Sequence, residues 1–295
     1  MIGAGLLGGV KRGSAALALL LAAATPATAA QPEVRATWIG GPTLLLRFGP
    51  LSLVTDPVLG DGREAFRMFD PNSGRPDALH ARLAPLPPAE LGDTDLVLVS
   101  HDHEDHLDAA ALARLGSGPL FVVPTAQVET VRRRRGSGAV RGLAWGESYR
   151  IEDANYRIAV TALPARHSRD ADASRLLGQV NGYWIEFRRG AFRRTIYWTG
   201  DAFPVPEDIG RDRLRPDLLV PHLGAVGEGG PFGRVSMDAA DAVAFARLVR
   251  PRAVLPIHHS TFSLYREPVA RFAAAAQGQP WRLHLFREGG ELVLP

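Results

Sequence analysis

Three imidazoles interleaved with carboxylates occupy six consecutive positions, His101-Asp102-His103-Glu104-Asp105-His106. They come one residue after Leu96-Val97-Leu98-Val99, an apolar run that reads as a buried strand. Such a strand is a rigid base, and an irregular turn after it lets successive side chains converge. Neutral imidazole nitrogen together with carboxylate oxygen suits zinc and other borderline divalent ions. A solvated polar turn has no need of this spacing, and later segments supply matching ligand types. His167 ends Leu163-Pro164-Ala165-Arg166, Asp201 ends Tyr197-Trp198-Thr199-Gly200, and His258 ends Leu255-Pro256-Ile257. Each follows a β-type run, at a sheet rim where loops can assemble a site. One histidine after a strand is usually structural. Four such strand ends point to one shared metal centre.

The elements that must hold these residues are legible in outline. Strands are expected over residues 35–39, 43–48 and 51–55, separated by Gly40-Gly41-Pro42 and Gly49-Pro50. Residues 61–88 are rich in Pro, Gly and Arg without a clean period, and read as a long surface loop of the sort that rims a site. Residues 95–100 form the strand that feeds the histidine cluster. A helix is expected from His106 to Leu115, ending at Gly116, and another from Thr125 towards Arg135. Further strands are expected over 121–124, 156–163, 183–187, 195–199, 218–221 and 253–257. Ser236 reads as the N-cap of an Ala-rich helix that runs to Val249 and stops at Arg250-Pro251. Antiparallel strands precede strand–helix units in each half, so the fold class is α/β, with two sheets face to face and helices outside.

Composition narrows the function classes. Residues 1–30 read as a signal peptide, with Lys11-Arg12, the Ala/Leu run of residues 15–24 and Ala27-Thr28-Ala29 as a cleavage site. The protein is therefore expected to be exported, periplasmic or secreted, with a retained N-terminal anchor as the alternative and no transmembrane span in the remainder. Residues 31–295 are expected to form a single domain. Lys11 is the sole lysine, and without the leader the chain lies within one charge of neutrality. That balance argues against nucleic-acid binding as the main activity. Zero cysteines exclude disulfides, a thiolate nucleophile and sulfur ligands.

The H-x-H-x-D-H run with its distal His, Asp and His resembles the metallo-β-lactamase superfamily, over nearly the whole chain from Trp38-Ile39-Gly40 to His258. The resemblance implies a four-layer αββα sandwich with a dinuclear centre along one edge. It implies that His101, His103 and His167 hold one metal and that Asp105, His106 and His258 hold the second. Asp201 would bridge the two, and Asp56 in Val54-Thr55-Asp56-Pro57 would hydrogen-bond a ligand imidazole from behind. Two divalent ions roughly 3.5–4 Å apart share a water, lower its pKa towards neutrality and stabilise the developing oxyanion. Asp105 would also orient that hydroxide, so no Ser or Cys nucleophile is needed. Zinc is the default metal, and manganese or iron fits the same N/O set.

Within the superfamily, the segments around Pro256-Ile257-His258, Arg166-His167-Ser168-Arg169 and Thr199-Gly200-Asp201 are similar to the branch of N-acylphosphatidylethanolamine-hydrolysing phospholipase D. The ascorbate-6-phosphate lactonase group is a more distant likeness. This leans the substrate towards a small-molecule or lipid-like phosphodiester, with arginines at 166, 169, 175 and 234 to receive phosphate. A lactonase or carboxylic-ester hydrolase is the closest rival. A non-catalytic binding protein on this scaffold would lack a ligand, and no ligand is missing. Two departures stand out. His222, in Pro221-His222-Leu223-Gly224, sits where an apolar residue is expected and is a candidate general acid for the leaving group. Arg234 stands where some relatives carry His. Arg132–Arg135 reads as a solvated helix end.

Overall fold

The computed structural model describes residues 31–88, 91, 93–203 and 214–295, and the leader expected over residues 1–30 lies outside them. Residues 32–295 form one compact unit. The chain first builds β1 (Val34–Gly40), β2 (Thr43–Phe48) and β3 (Leu51–Thr55), then a hairpin of β4 (Phe66–Met68) and β5 (Ala78–His80). β6 (Leu96–Leu98), β7 (Leu120–Pro124) and β8 (Val140–Leu143) complete the first half. Next come β9 (Ser148–Asp153), β10 (Tyr156–Ala165), β11 (Val180–Arg189), β12 (Phe192–Trp198), β13 (Leu218–Val220), β14 (Ala253–Val254) and β15 (Arg282–Leu283). β16 (Glu291–Leu294) returns to pair with β1. The α-helices among the described residues are α1 (Ala109–Leu115), α2 (Val128–Arg135), α3 (Ala171–Leu177), α4 (Ala239–Val249) and α5 (Val269–Ala275).

Two seven-stranded sheets result, in the orders β16-β1-β2-β3-β6-β7-β8 and β15-β14-β13-β12-β11-β10-β9. Each is antiparallel on one side and parallel on the other: β3, β6, β7 and β8 run parallel, as do β12 to β15. Side-chain alternation decides the layers. Leu96 and Leu98 of β6 face the cluster between the sheets, together with Trp38, Phe48, Tyr183 and Trp198. Val97 and Val99 face the opposite way, onto Ala111 and Leu115 of α1 and Val131 of α2. On the second sheet Leu218 and Val220 point inward, while Leu219 packs outward beneath Phe245 of α4 and Phe272 of α5. Strands buried on both faces read as continuous apolar runs, because helices cover what an open sheet would leave to water. The architecture is the αββα sandwich. No helix among the described residues is long and apolar enough to cross a membrane.

Several local expectations shift. α1 begins at Ala109, because Asp108 caps it by accepting from Ala111 N–H while its other oxygen accepts from Leu59 and Gly60 N–H. α4 is capped by Asp238, which accepts from Asp241 N–H, whereas Ser236 Oγ accepts from Val226 N–H in the preceding loop. Residues 61–88 are not wholly irregular, since β4 and β5 pair within them.

Candidate metal centre

The parallel strands end at one edge of the sandwich, the usual place for a site in α/β sheets. His101 follows β6, Asp201 follows β12, His222 follows β13 and His258 lies beyond β14, while His167 follows the long antiparallel β10. Gly200 lets the Asp201 segment close in. Its φ is +59°, and a Cβ there would stand 2.7 Å from Ser100 Cβ. Two site residues without that freedom also hold positive φ, Asp56 at 29° and His258 at 61°. Such backbone strain persists where surrounding contacts over-determine it, as at functional sites.

The ligand-type atoms gather in two groups. His101, His103 and His167 form one, and His106, Asp201, His222 and His258 the other, with atoms inside each group all within 4.8 Å of one another. Asp105 stands beside the second, its Oδ2 3.6 Å from His106 Nε2 and 3.7 Å from His258 Nε2. Asp201 Oδ2 lies 3.4 Å from His106 Nε2, and the His101 and His106 ring centroids are 4.0 Å apart, so the groups adjoin. All seven residues expected to hold metal are thus brought to one place.

Three rings are aimed from behind. His106 Nδ1 donates to Asp56 Oδ2 at 2.6 Å, His167 Nδ1 to Val235 O at 2.8 Å and His258 Nδ1 to Leu223 O at 2.9 Å. These bonds occupy Nδ1 and turn Nε2 into the site. Sequence reasoning overlooked Ser100. Its backbone N–H and hydroxyl both donate to Asp56 at 2.6 Å, and its Oγ pairs with His101 Nδ1 at 2.9 Å. Asp56 therefore steadies His106 directly and His101 through Ser100. The available signal was a small hydroxyl residue immediately before the first histidine.

Protonation follows burial and charge. Burial drives His101 well below its ordinary pKa, reinforced by His106 and His103, and lowers His103 as well. Burial likewise takes His167 to about 4 and His222 to about 3. For the carboxylates burial pushes upward but is outweighed. His106 and His258 hold Asp105 at about 2, and His258 and His106 hold Asp201 well below its usual range. His106 goes the other way, because Asp201, Asp105 and Asp56 overcome its burial and hold it well above 6.5. The edge thus presents ionised carboxylates and mostly neutral imidazoles, the states in which these groups bind cations.

Nε2 of His101, His106, His222 and His258 and Oδ1 of Asp105 are buried without a hydrogen-bond partner. Buried polar atoms normally have one. Lone pairs that converge unpartnered beside two carboxylates fit divalent cations, and this donor set of N and O suits the expected metals.

A cavity of about 280 Å³ opens onto the groups. His103, Asp105, His167 and Asp201 line one side, and Met68, Phe69, Pro71, Leu177, Val226 and Val235 form an apolar wall, with Asp102 and Glu104 completing the lining. The β4–β5 hairpin turn supplies part of that wall, so the 61–88 segment does rim the site. His222 is fully buried and absent from the lining. His259 is buried against Trp38, ring centroids 4.7 Å apart. Within Arg132–Arg135, Arg134 is not a solvated charge. It pairs with Glu104 at 2.9 Å and donates to the carbonyls of Asp102 and Leu107, clamping the loop of ligands.

Residues 53–259 match a family described as the β-lactamase superfamily domain. The chain is 30% identical over 249 residues to N-acyl-phosphatidylethanolamine-hydrolyzing phospholipase D 1 of Caenorhabditis elegans, covering 79% of this chain and 67% of that one. It is 27% identical over 256 residues to a metal-dependent hydrolase of Archaeoglobus fulgidus, covering 83% and 92%. Among solved structures, one described as a possible metal-dependent hydrolase from Veillonella parvula superposes with a TM-score of 0.71 at 17% identity, covering 88% and 99%.

Proposed function

The chain belongs to the β-lactamase superfamily and is a metal-dependent hydrolase, and from that premise we propose that it cleaves esters with a water activated at a dinuclear centre. The observation that carries this is the pair of adjoining ligand groups at the floor of the cavity. His101, His103 and His167 would hold one ion, and Asp105, His106 and His258 the other, with Asp201 between them. Two such ions, zinc by default, supply a water of near-neutral pKa and polarise the scissile group.

The chain's own residues do the rest. Asp56 and Ser100 keep the His106 and His101 rings turned inward. Asp105, buried and ionised with Oδ1 unpartnered, can take a hydrogen bond from the attacking water and orient it. The apolar wall excludes bulk water and seats the non-reacting part of the substrate.

For the bond, we infer a phosphodiester of glycerophospholipid type. The support is the C. elegans relative, a phospholipase D by name, of which this chain spans two thirds. One observation favours a carboxylic ester or lactone instead. The sequence leaned on arginines to receive phosphate, yet Arg169 pairs with Asp241, Arg175 with Asp172 and Arg234 with Asp238. Neither these nor Arg166 line the cavity, whose wall is apolar. Export remains part of the proposal, on the strength of residues 1–30 alone. The test is metal content by elemental mass spectrometry on wild type and Asp201→Ala, with hydrolysis of bis(p-nitrophenyl) phosphate and of a simple lactone. About two metals per chain and metal-dependent turnover of one probe are expected. A protein that binds no metal under any loading condition overturns the proposal.

A further inference from the structure

His222 has no seat in the ligand set above, yet it is as fully buried as His106 and His258 of the second group. It lies on the continuation of β13, bridged to Ile257 beyond β14, and its backbone N–H donates to Thr199 Oγ1 at 3.2 Å. Its ring is held on three sides. It stacks on His258 at 5.1 Å and 7°, lies 5.7 Å from His106 at 20°, and meets Trp198 edge-on at 5.3 Å. Its one polar contact is Nδ1 to Asp201 Oδ1, at 3.0 Å. Nε2 is buried without a partner.

A general acid must reach the leaving group, and this ring is fully buried and no part of the cavity lining. We propose that His222 is instead a positioning residue, whose Nδ1–H fixes the carboxylate of Asp201 with one oxygen towards His258 and the other towards His106. The proposal rests on the metal-dependent reading of the site. An ionised carboxylate only accepts, so at 3.0 Å the proton between the two belongs to Nδ1. That bond uses one lone pair of Oδ1. The rest of Oδ1 stays 3.8 Å from His258 Nε2, and Oδ2 stays 3.4 Å from His106 Nε2. A carboxylate free to turn about its Cβ–Cγ bond could leave either ring without its oxygen. The stacked imidazole removes that freedom. An apolar residue at 222 would fill the space equally well but hold nothing.

The experiment measures zinc binding to the full chain by competition with a chromogenic chelator, for wild type, His222→Phe and His222→Asn. Phe keeps the stacking and removes the donor, while the Asn side-chain amide presents an N–H close to where Nδ1 stood. Phe is expected to weaken one of the two binding steps by about 10- to 100-fold, the range for loss of a residue that orients a ligand, and Asn to recover most of it. Wild-type affinities in both steps for His222→Phe overturn the proposal, as does an Asn variant no better than Phe. X-ray absorption that shows one fewer imidazole around zinc in His222→Phe also overturns it, by making His222 a ligand. Should Phe not fold, ¹⁵N chemical shifts of the wild type decide: Nδ1–H supports the proposal, and Nε2–H refutes it. If wild type binds no zinc, the hydrolase proposal falls, while the same shifts in the metal-free protein still report on the hydrogen bond.

Discussion

Asp56→Asn removes one charge and almost no volume, and its effect can be worked through atom by atom. In the native site Asp56 Oδ1 accepts from Ser100 N–H at 2.6 Å, and Oδ2 accepts from both the Ser100 hydroxyl and His106 Nδ1 at 2.6 Å. An asparagine must keep its oxygen on the fixed backbone N–H, so its NH2 replaces Oδ2. The serine hydroxyl can rotate and accept from that NH2, while its oxygen still receives His101. The imidazole cannot adapt in this way. His106 Nδ1–H would face another donor with no charge to hold it, so the imidazolium sheds that proton and keeps the one on Nε2, the nitrogen 3.4 Å from Asp201 and 3.6 Å from Asp105. Binding a cation there then means returning the proton to Nδ1 against an unpaired donor, at about 1–3 kcal/mol. With about 1.4 kcal/mol per decade, that corresponds to roughly 10- to 100-fold in affinity. Chelator competition should show this loss in one of the two zinc-binding steps, with the step that uses His101, His103 and His167 little changed. ¹⁵N shifts of the metal-free variant should place the proton on His106 Nε2. Equal weakening of both steps, or none, would refute the argument that Asp56 acts by setting the tautomer of His106.

Three further outcomes are expected. Replacing Arg134 by Met should weaken both zinc-binding steps and lower stability by about 2 kcal/mol, because the clamp on Glu104, Asp102 O and Leu107 O holds the whole ligand loop; Lys should recover little, since an ammonium cannot span three acceptors. His259 is held at about 4 by burial, below its ordinary 6.5, so the unfolded chain takes up its proton first as pH falls. The His259 contribution is fully present above pH 6.5 and is lost as pH falls towards 4. Denaturation in urea at pH 7.5 and pH 5 should show about 2 kcal/mol more loss in wild type than in His259→Phe. Leu177→Trp should fill much of the cavity above His167, cutting turnover of the better ester probe at least about tenfold while metal content stays at the wild-type level; a change in metal content would place Leu177 in the support of the ligands instead.

The sequence by itself placed the histidine cluster, because H-x-H-x-D-H after an apolar run puts these ligand-type side chains at a strand end whatever the rest of the chain does. It determined the layered architecture too. The near-continuous apolar runs at Leu96–Val99 and Leu218–Val220 can be satisfied only between a second sheet and a cover of helices. Tertiary structure alone decided which side chain stands behind which. The adjoining of the two ligand groups depends on contacts between residues about 100 positions apart, as Gly200 against Ser100 shows. The capping of α4 by Asp238 was lost to a competing signal, since Ser236 has the same preference for a cap and was drawn off by Val226 N–H. Arg134 and His222 show the same limit in the site itself. A guanidinium in a run of four reads as solvated, and His222 reads as a candidate general acid. Only the three-dimensional neighbours, carbonyls for one and the Asp201 carboxylate for the other, assign the hydrogen bonds. Local spacing specifies which chemistry a segment carries. Partners distant in sequence specify what each donor can do, because hydrogen bonds and charge act over a few ångströms of space and not along the chain.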